Sequence, residues 1–193
     1  MINFKYIDIW EQAKPYLNIR RNDKHTWYCY YFAEQLCEAY PEANRDIVLP
    51  TILLHDVGWS TVPKDKIYEA FGPNMLYPEL RRQHETEGVR IAGEILRELE
   101  YDDEAITEIT SIIDGHDTRK ESLSLHDSIV RDADKLWRYT PFGLATVGSW
   151  FNYSVHEQML LLHKWIDTRF FTDAGREMAR GLYAFLVINN NTM

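Results

Sequence analysis

Apolar side chains recur at helical spacing along almost the whole of this 193-residue chain, and histidines stand on the same stripes. His25 is followed by Cys29, Phe32, Leu36 and Tyr40, at i+4, i+7, i+11 and i+15. His84 leads into Gly88, Ile91, Ala92, Ile95 and Leu99, and His116 closes a stripe of Ile109, Ile112 and Ile113. No sustained period-2 alternation competes with this pattern. The expected fold is all-α, a single-domain helical bundle over residues 1–193. Helices are predicted over 4–13, 23–40, 44–57, 63–70, 77–99, 103–116, 124–138, 141–151, 154–169 and 172–189. Gly58 suits a helix end after Ile52-Leu53-Leu54, Pro63 suits a first helical turn, and Pro41 and Gly72-Pro73 are breaks. With 45% hydrophobic residues the chain can fill one core without staples. Cys29 and Cys37 fall inside one predicted helix and read as core thiols of a cytoplasmic protein.

An imidazole aimed at a core needs a hydrogen-bond partner or a metal, because a buried polar group with neither costs about 1–3 kcal/mol. One such histidine is ordinarily a hydrogen-bonded core residue. Three on separate helices, together with the adjacent pair His55-Asp56 at the end of an apolar run, point to one shared centre. His25, His55, His84 and His116 are separated by 30, 29 and 32 residues, and Asp134 follows 18 later. Those intervals allow one potential ligand per helix or helix end. Imidazole nitrogen and carboxylate oxygen together suit zinc, manganese, iron or cobalt, with nickel and magnesium as further divalent candidates. Neighbours on a helix diverge by about 100°. His55 and Asp56 can therefore share a centre only near a helix end or by bracketing two ions. A carboxylate has two oxygens, so with two ions present the bridge falls to Asp56.

The order His25, His55-Asp56, His84, His116, Asp134 resembles the HD-domain superfamily, whose defining pattern is H…HD…D. TILLHDVG at 51–58 is similar to the family's apolar run into HD and glycine. HETEGVRIAGEIL at 84–96 resembles the H-x-x-x-G-x-x-x-A segment of the six-ligand members. IIDGHD at 112–117 resembles the next histidine motif, and VRDADKLW at 130–137 resembles the A-D-x-L helix. The likeness covers residues 20–140 as an HD core and leaves 141–193 as a helical extension.

The resemblance implies a metal site of His25, His55, Asp56, His84, His116 and Asp134. The A-D-x-L register selects Asp134 over Asp132. One or two divalent ions are implied, and His84 and His116 favour two. The implied activity is metal-dependent hydrolysis of a phosphoester or phosphoanhydride in a small phosphorylated substrate, with a nucleotide as the expected class. The ions would acidify water and neutralise phosphoryl charge, with Asp56, His55 and Lys135 in catalytic roles. Two other readings stay open: a di-iron oxygenase of the HD type, and a non-catalytic nucleotide-sensing HD module. Trp59 stands where the cyclic-dinucleotide members carry lysine, and their GYP signature is missing, which argues against cyclic di-GMP. Size and ligand layout are similar to a bacterial branch that splits diadenosine tetraphosphate, although its aspartate helix reads differently.

Cations near the expected ligands are Arg81, Arg82, Arg119, Lys120 and Lys135; of these, Arg82, Arg119 and Lys135 are expected to bind substrate. The second HD dipeptide, His126-Asp127, lacks the apolar run and glycine and reads as structural at a helix start. His156 and His163 lie beyond the motifs. Residues 59–77 are either a cover over the site or an ordinary surface connection. A net charge of -9 argues against duplex nucleic acid as a partner. No run of 18 apolar residues suggests a membrane span, and residues 1–10 lack the pattern of a signal peptide. Thr172 suits the N-cap of the last helix, whose apolar end at 182–188 packs on the core or forms a homodimer contact.

Overall fold

The computed structural model describes residues 2–190. The helices among them are α1 (Ile7–Ala13), α2 (Asn22–Ala39), α3 (Arg45–Leu54), α4 (Pro78–Glu98), α5 (Asp103–Ile113), α6 (Leu125–Leu136), α7 (Pro141–Phe151), α8 (Val155–Thr168) and α9 (Asp173–Asn190). No strand occurs among the described residues. The all-α expectation therefore holds.

Caps fix where the central helices begin. Asn44 accepts from the Asp46 amide at α3, Asp102 from Ala105 at α5, and Ser124 from Asp127 at α6. Each satisfies one of the amides that a helix start leaves without a partner. From Ile47 to Leu54, α3 is buried on every side, as suits the middle of a bundle. Helix α2 lays its Cys29, Phe32 and Leu36 stripe against α3 and α6. Helix α4 lies across α5 and the short 3-10 turn Val57–Thr61. Gly58 permits that approach, because a Cβ there would collide with the main-chain carbonyl of His84.

The last three helices close the other side. Leu144, Leu162, Ile166 and Leu186 join the same core as α2 to α6. Thr172 caps α9 as expected, its hydroxyl accepting from the Gly175 amide at 3.0 Å. Asp132 is spent here: its carboxylate accepts from the Phe171 and Thr172 amides and the Thr172 hydroxyl at 2.7–2.9 Å. In the 182–188 stretch Leu186 is buried, while Phe185 and Ile188 are exposed. No helix among the described residues is long and apolar enough to cross a membrane.

The helix expected over 63–70 does not form. In its place stands one 3-10 turn, Ile67–Glu69. Between Pro63 and Gly72, whose φ is +90°, there is room for barely two turns, and short helices need tertiary support. The spacing of Ile67, Ala70 and Phe71 imitates a helical stripe. Those side chains instead pack with Trp59 and Val62 in a small separate core.

Candidate metal centre

Five elements deliver the expected ligands to one place. His25 comes from the first turn of α2, His55 and Asp56 from just past the end of α3, His84 from the second turn of α4, His116 from the turn after α5, and Asp134 from α6. The end of α3 lets two adjacent side chains reach one centre, since the chain leaves helical geometry at Asp56 (φ -106°, ψ 6°). His25, His55, His84 and His116 are all buried, as is Asp56.

The donor atoms crowd together. His25 Nε2 lies 3.1 Å from His55 Nε2, 3.3 Å from Asp56 Oδ2 and 3.3 Å from Asp134 Oδ1. His55 Nε2 is 3.5 Å from Asp134 Oδ1. A tetrahedral ion with bonds of about 2.05 Å sets its ligands roughly 3.3 Å apart, so these are the spacings of ligand edges around a cation. The Cys29 thiol flanks His25 at 3.5 Å; burial raises its pKa well above the ordinary thiol value, which keeps it neutral.

Asp56 faces two ways. Oδ2 meets His25 and His55, while Oδ1 lies 3.7 Å from His116 Nε2 and accepts from the Trp59 indole at 3.1 Å. Beyond His116 stand His84 and Asp117, with His84 Nε2 3.7 Å from Asp117 Oδ2. His84 is wholly buried and stacked on Trp59 (centroids 4.0 Å apart, 12° between planes). Neither of its ring nitrogens has a hydrogen-bond partner among the described residues. Burial lowers its pKa to about 4, with His116 adding to the fall. A neutral, sealed imidazole with two idle nitrogens fits a cation, so the residues present suit a second ion as well as a first.

Two main-chain carbonyls aim the rings. His55 Nδ1 donates to Ile52 at 2.8 Å, and His116 Nδ1 donates to Ile113 at 2.9 Å. Each bond leaves the Nε2 lone pair directed at the cluster. Burial depresses His25. At His55 and His116 burial pulls the same way, but the surrounding carboxylates outweigh it, lifting His55 and taking His116 to about 9. Asp56 and Asp134 are held well below the carboxylate range by those imidazoles, against their own burial.

The cluster opens on a cavity of about 30 Å³ whose wall includes Trp59, Phe71, Trp137, Arg20 and Arg138. Residues 59–77 thus supply one side of the site through Trp59 and Phe71. A larger hollow of about 580 Å³ between α7, α8 and α9 has no His, Cys, Asp or Glu in its lining.

A family model of the HD domain matches residues 22–138, more than half of the chain. The chain belongs to the HD-domain family. Its superfamily is of the metal-dependent phosphohydrolase type, and the buried His/Asp cluster could hold a divalent ion. The fold is also similar to that in the crystal structure of a predicted HD superfamily hydrolase from an uncultured Thermotogales bacterium. That likeness has a TM-score of 0.65 and 19% identity, and covers 95% of this chain and 88% of that one. No curated protein matches the sequence.

Within this HD domain the cations expected to bind substrate, Arg82, Arg119 and Lys135, are engaged by the protein's own groups. Arg82 is paired with Glu85 and Asp114, and Arg119 with Asp127. Lys135 donates to the Arg131 carbonyl at 2.7 Å and lies over Phe171. Lys135 does not line the cavity, although the charges of Asp134 and Asp117 both act on it. Arg20, Arg138 and Asp117 line the cavity without having been singled out. Asp117 was within reach of sequence reasoning, as the last letter of IIDGHD. Arg20 and Arg138 carry no motif.

The second HD dipeptide is structural, as expected. His126 Nε2 accepts from the Asn44 amide at 2.9 Å, and its Nδ1 meets Glu108 at 2.6 Å. Asp127 takes the Leu123 amide and Arg119. His163 packs against Tyr183.

Proposed function

We propose that this HD-domain chain is a metal-dependent phosphohydrolase that splits a phosphoester or phosphoanhydride of a small phosphorylated substrate, with nucleotides the first class to test. One observation carries the reading. Imidazole and carboxylate donors from five elements meet in a buried cluster at ligand-edge spacing, and His84, with no hydrogen-bond partner among the described residues, supports a second ion.

His25, His55, Asp56 and Asp134 would hold one ion, and His84 and His116 a second, with Asp56 in reach of both sets. When bound, divalent ions supply an acidified water and neutralise phosphoryl charge. The chain's own side chains supply the rest. The Ile52 and Ile113 carbonyls keep the His55 and His116 rings aimed, so no reorientation is needed during turnover. Trp59 holds Asp56 in place. Trp59, Phe71 and Trp137 keep bulk water away from the reacting group. Asp117, beside His84 and His116, is placed to take a proton from water.

The test is elemental analysis of the purified protein, followed by a panel of nucleotides, dinucleoside polyphosphates and p-nitrophenyl phosphate with different added metals. Bound transition metal and phosphate release from one class support the reading. A fully metal-loaded protein that releases no phosphate and consumes oxygen would replace it with the di-iron oxygenase reading.

A further inference from the structure

Arg20 sits in the turn before α2, where Arg20 and Arg21 take left-handed backbone conformations in succession, with φ of +55° and +61°. Side chains other than glycine enter that region at a steric cost, so two in a row mean that the fold holds this turn in place. The turn delivers the Arg20 guanidinium into a box of aromatic rings. Its central carbon lies 4.3 Å from the Trp59 ring, 4.2 Å from Phe71 and 5.0 Å from Trp150.

The three rings surround the guanidinium without offering it a hydrogen-bond acceptor. Nε and Nη1 are sealed from solvent and have no hydrogen-bond partner among the described residues. Arg82 and Arg119, by contrast, are matched with carboxylates, Arg82 with Glu85 and Arg119 with Asp127. Arg20 instead lines the cavity that Asp56, His116, Asp117 and Asp134 also line. A shielded guanidinium without an acceptor is costly, and a planar fork held by stacking is already ordered for an oxyanion.

We propose that Arg20 is the anchor for the reacting phosphoryl group, donating to a non-bridging oxygen while the aromatic box fixes its angle of approach. This rests on the phosphohydrolase reading and adds to it the residue that recognises the anion. A phosphoryl oxygen supplies the missing acceptor. Arg138, at the same cavity, adds positive charge.

The experiment uses manganese-loaded protein with inorganic phosphate as the probe, read by calorimetry and by the fluorescence of the stacked tryptophans. The variants are Arg20→Met, which keeps bulk in the box, and Arg20→Lys, which keeps charge without the planar fork. Wild type is expected to bind phosphate. Arg20→Met is expected to keep its manganese and its circular dichroism while losing about 10- to 100-fold in phosphate affinity, with Arg20→Lys in between. The KM for p-nitrophenyl phosphate should rise in the same order. Should Arg20→Met not fold, the Arg20→Lys affinity decides alone. Unchanged phosphate affinity in a folded, manganese-loaded variant overturns the anchor and makes Arg20 a packing residue. A wild type that holds manganese but ignores phosphate overturns the anchor and leaves the metal centre standing. A wild type without manganese sinks the underlying reading and the anchor together.

Discussion

An imidazole whose Nδ1 donates to a carbonyl has only its Nε2 lone pair left to offer, and in this chain the two rings so fixed point at the same carboxylate-lined cluster. His55→Ala or Asp56→Ala should therefore lose bound metal and phosphate release together, as read by elemental analysis and assay of the same preparation. His126→Ala should keep its metal, because both His126 nitrogens are engaged by Asn44 and Glu108. Glu85 is the neighbouring residue that positions the His116 turn. Buried on α4, it accepts from the Asp117 and Thr118 amides, the Thr118 hydroxyl and Arg82. Burial opposes its ionisation, but Arg82, His116 and Thr118 outweigh that and put its pKa below the ordinary 4.5. A depressed carboxyl stabilises the fold above its unfolded pKa and sheds that contribution as pH falls through the folded value. Glu85→Gln should cost about 2 kcal/mol near neutral pH, and its Tm should converge with wild type below pH 4.5. At this scale the sequence shows the cluster residues through their stripes and motif order, and it separates Asp134 from Asp132 by register. Arg20 stays hidden because its role depends on three rings from distant segments, which no local pattern encodes.

Helices were the most legible elements, since amphipathic stripes of 10 or more residues overdetermine them. Helix α4 has its apolar face, its first-turn Glu79 and its closing Arg97 all in agreement. The connection between the Val57–Thr61 turn and α4 was not legible. Its apolar residues serve a local core with Trp59 rather than a helix face, so helical spacing without helical length misled. The tightest junction is where that turn meets α4. A methyl at Gly58 would meet the His84 carbonyl, and that atom belongs to helix backbone that cannot yield locally. Gly58→Ala should destabilise the fold by about 1–3 kcal/mol and shift α4 enough to lower metal stoichiometry. A variant with unchanged Tm and unchanged metal content would show that the junction tolerates more than its geometry implies.

The whole molecule joins five elements, separated in sequence, that carry the candidate ligands, so an ion binding them would stabilise the folded state over the unfolded one. At free metal a hundredfold above Kd the gain is about 2.7 kcal/mol per ion, and each of those kcal/mol raises Tm by about 2–4 °C in a chain of this size. Chelation should reverse the rise, and thermal scans with and without chelator read it directly. The most direct measurement is an anomalous difference map from a crystal grown with manganese and recorded at the manganese edge. Peaks between His25, His55, Asp56 and Asp134, and beside His84 and His116, are the predicted result. Manganese held only at surface carboxylates, with the buried cluster closed on its own hydrogen bonds, would contradict it.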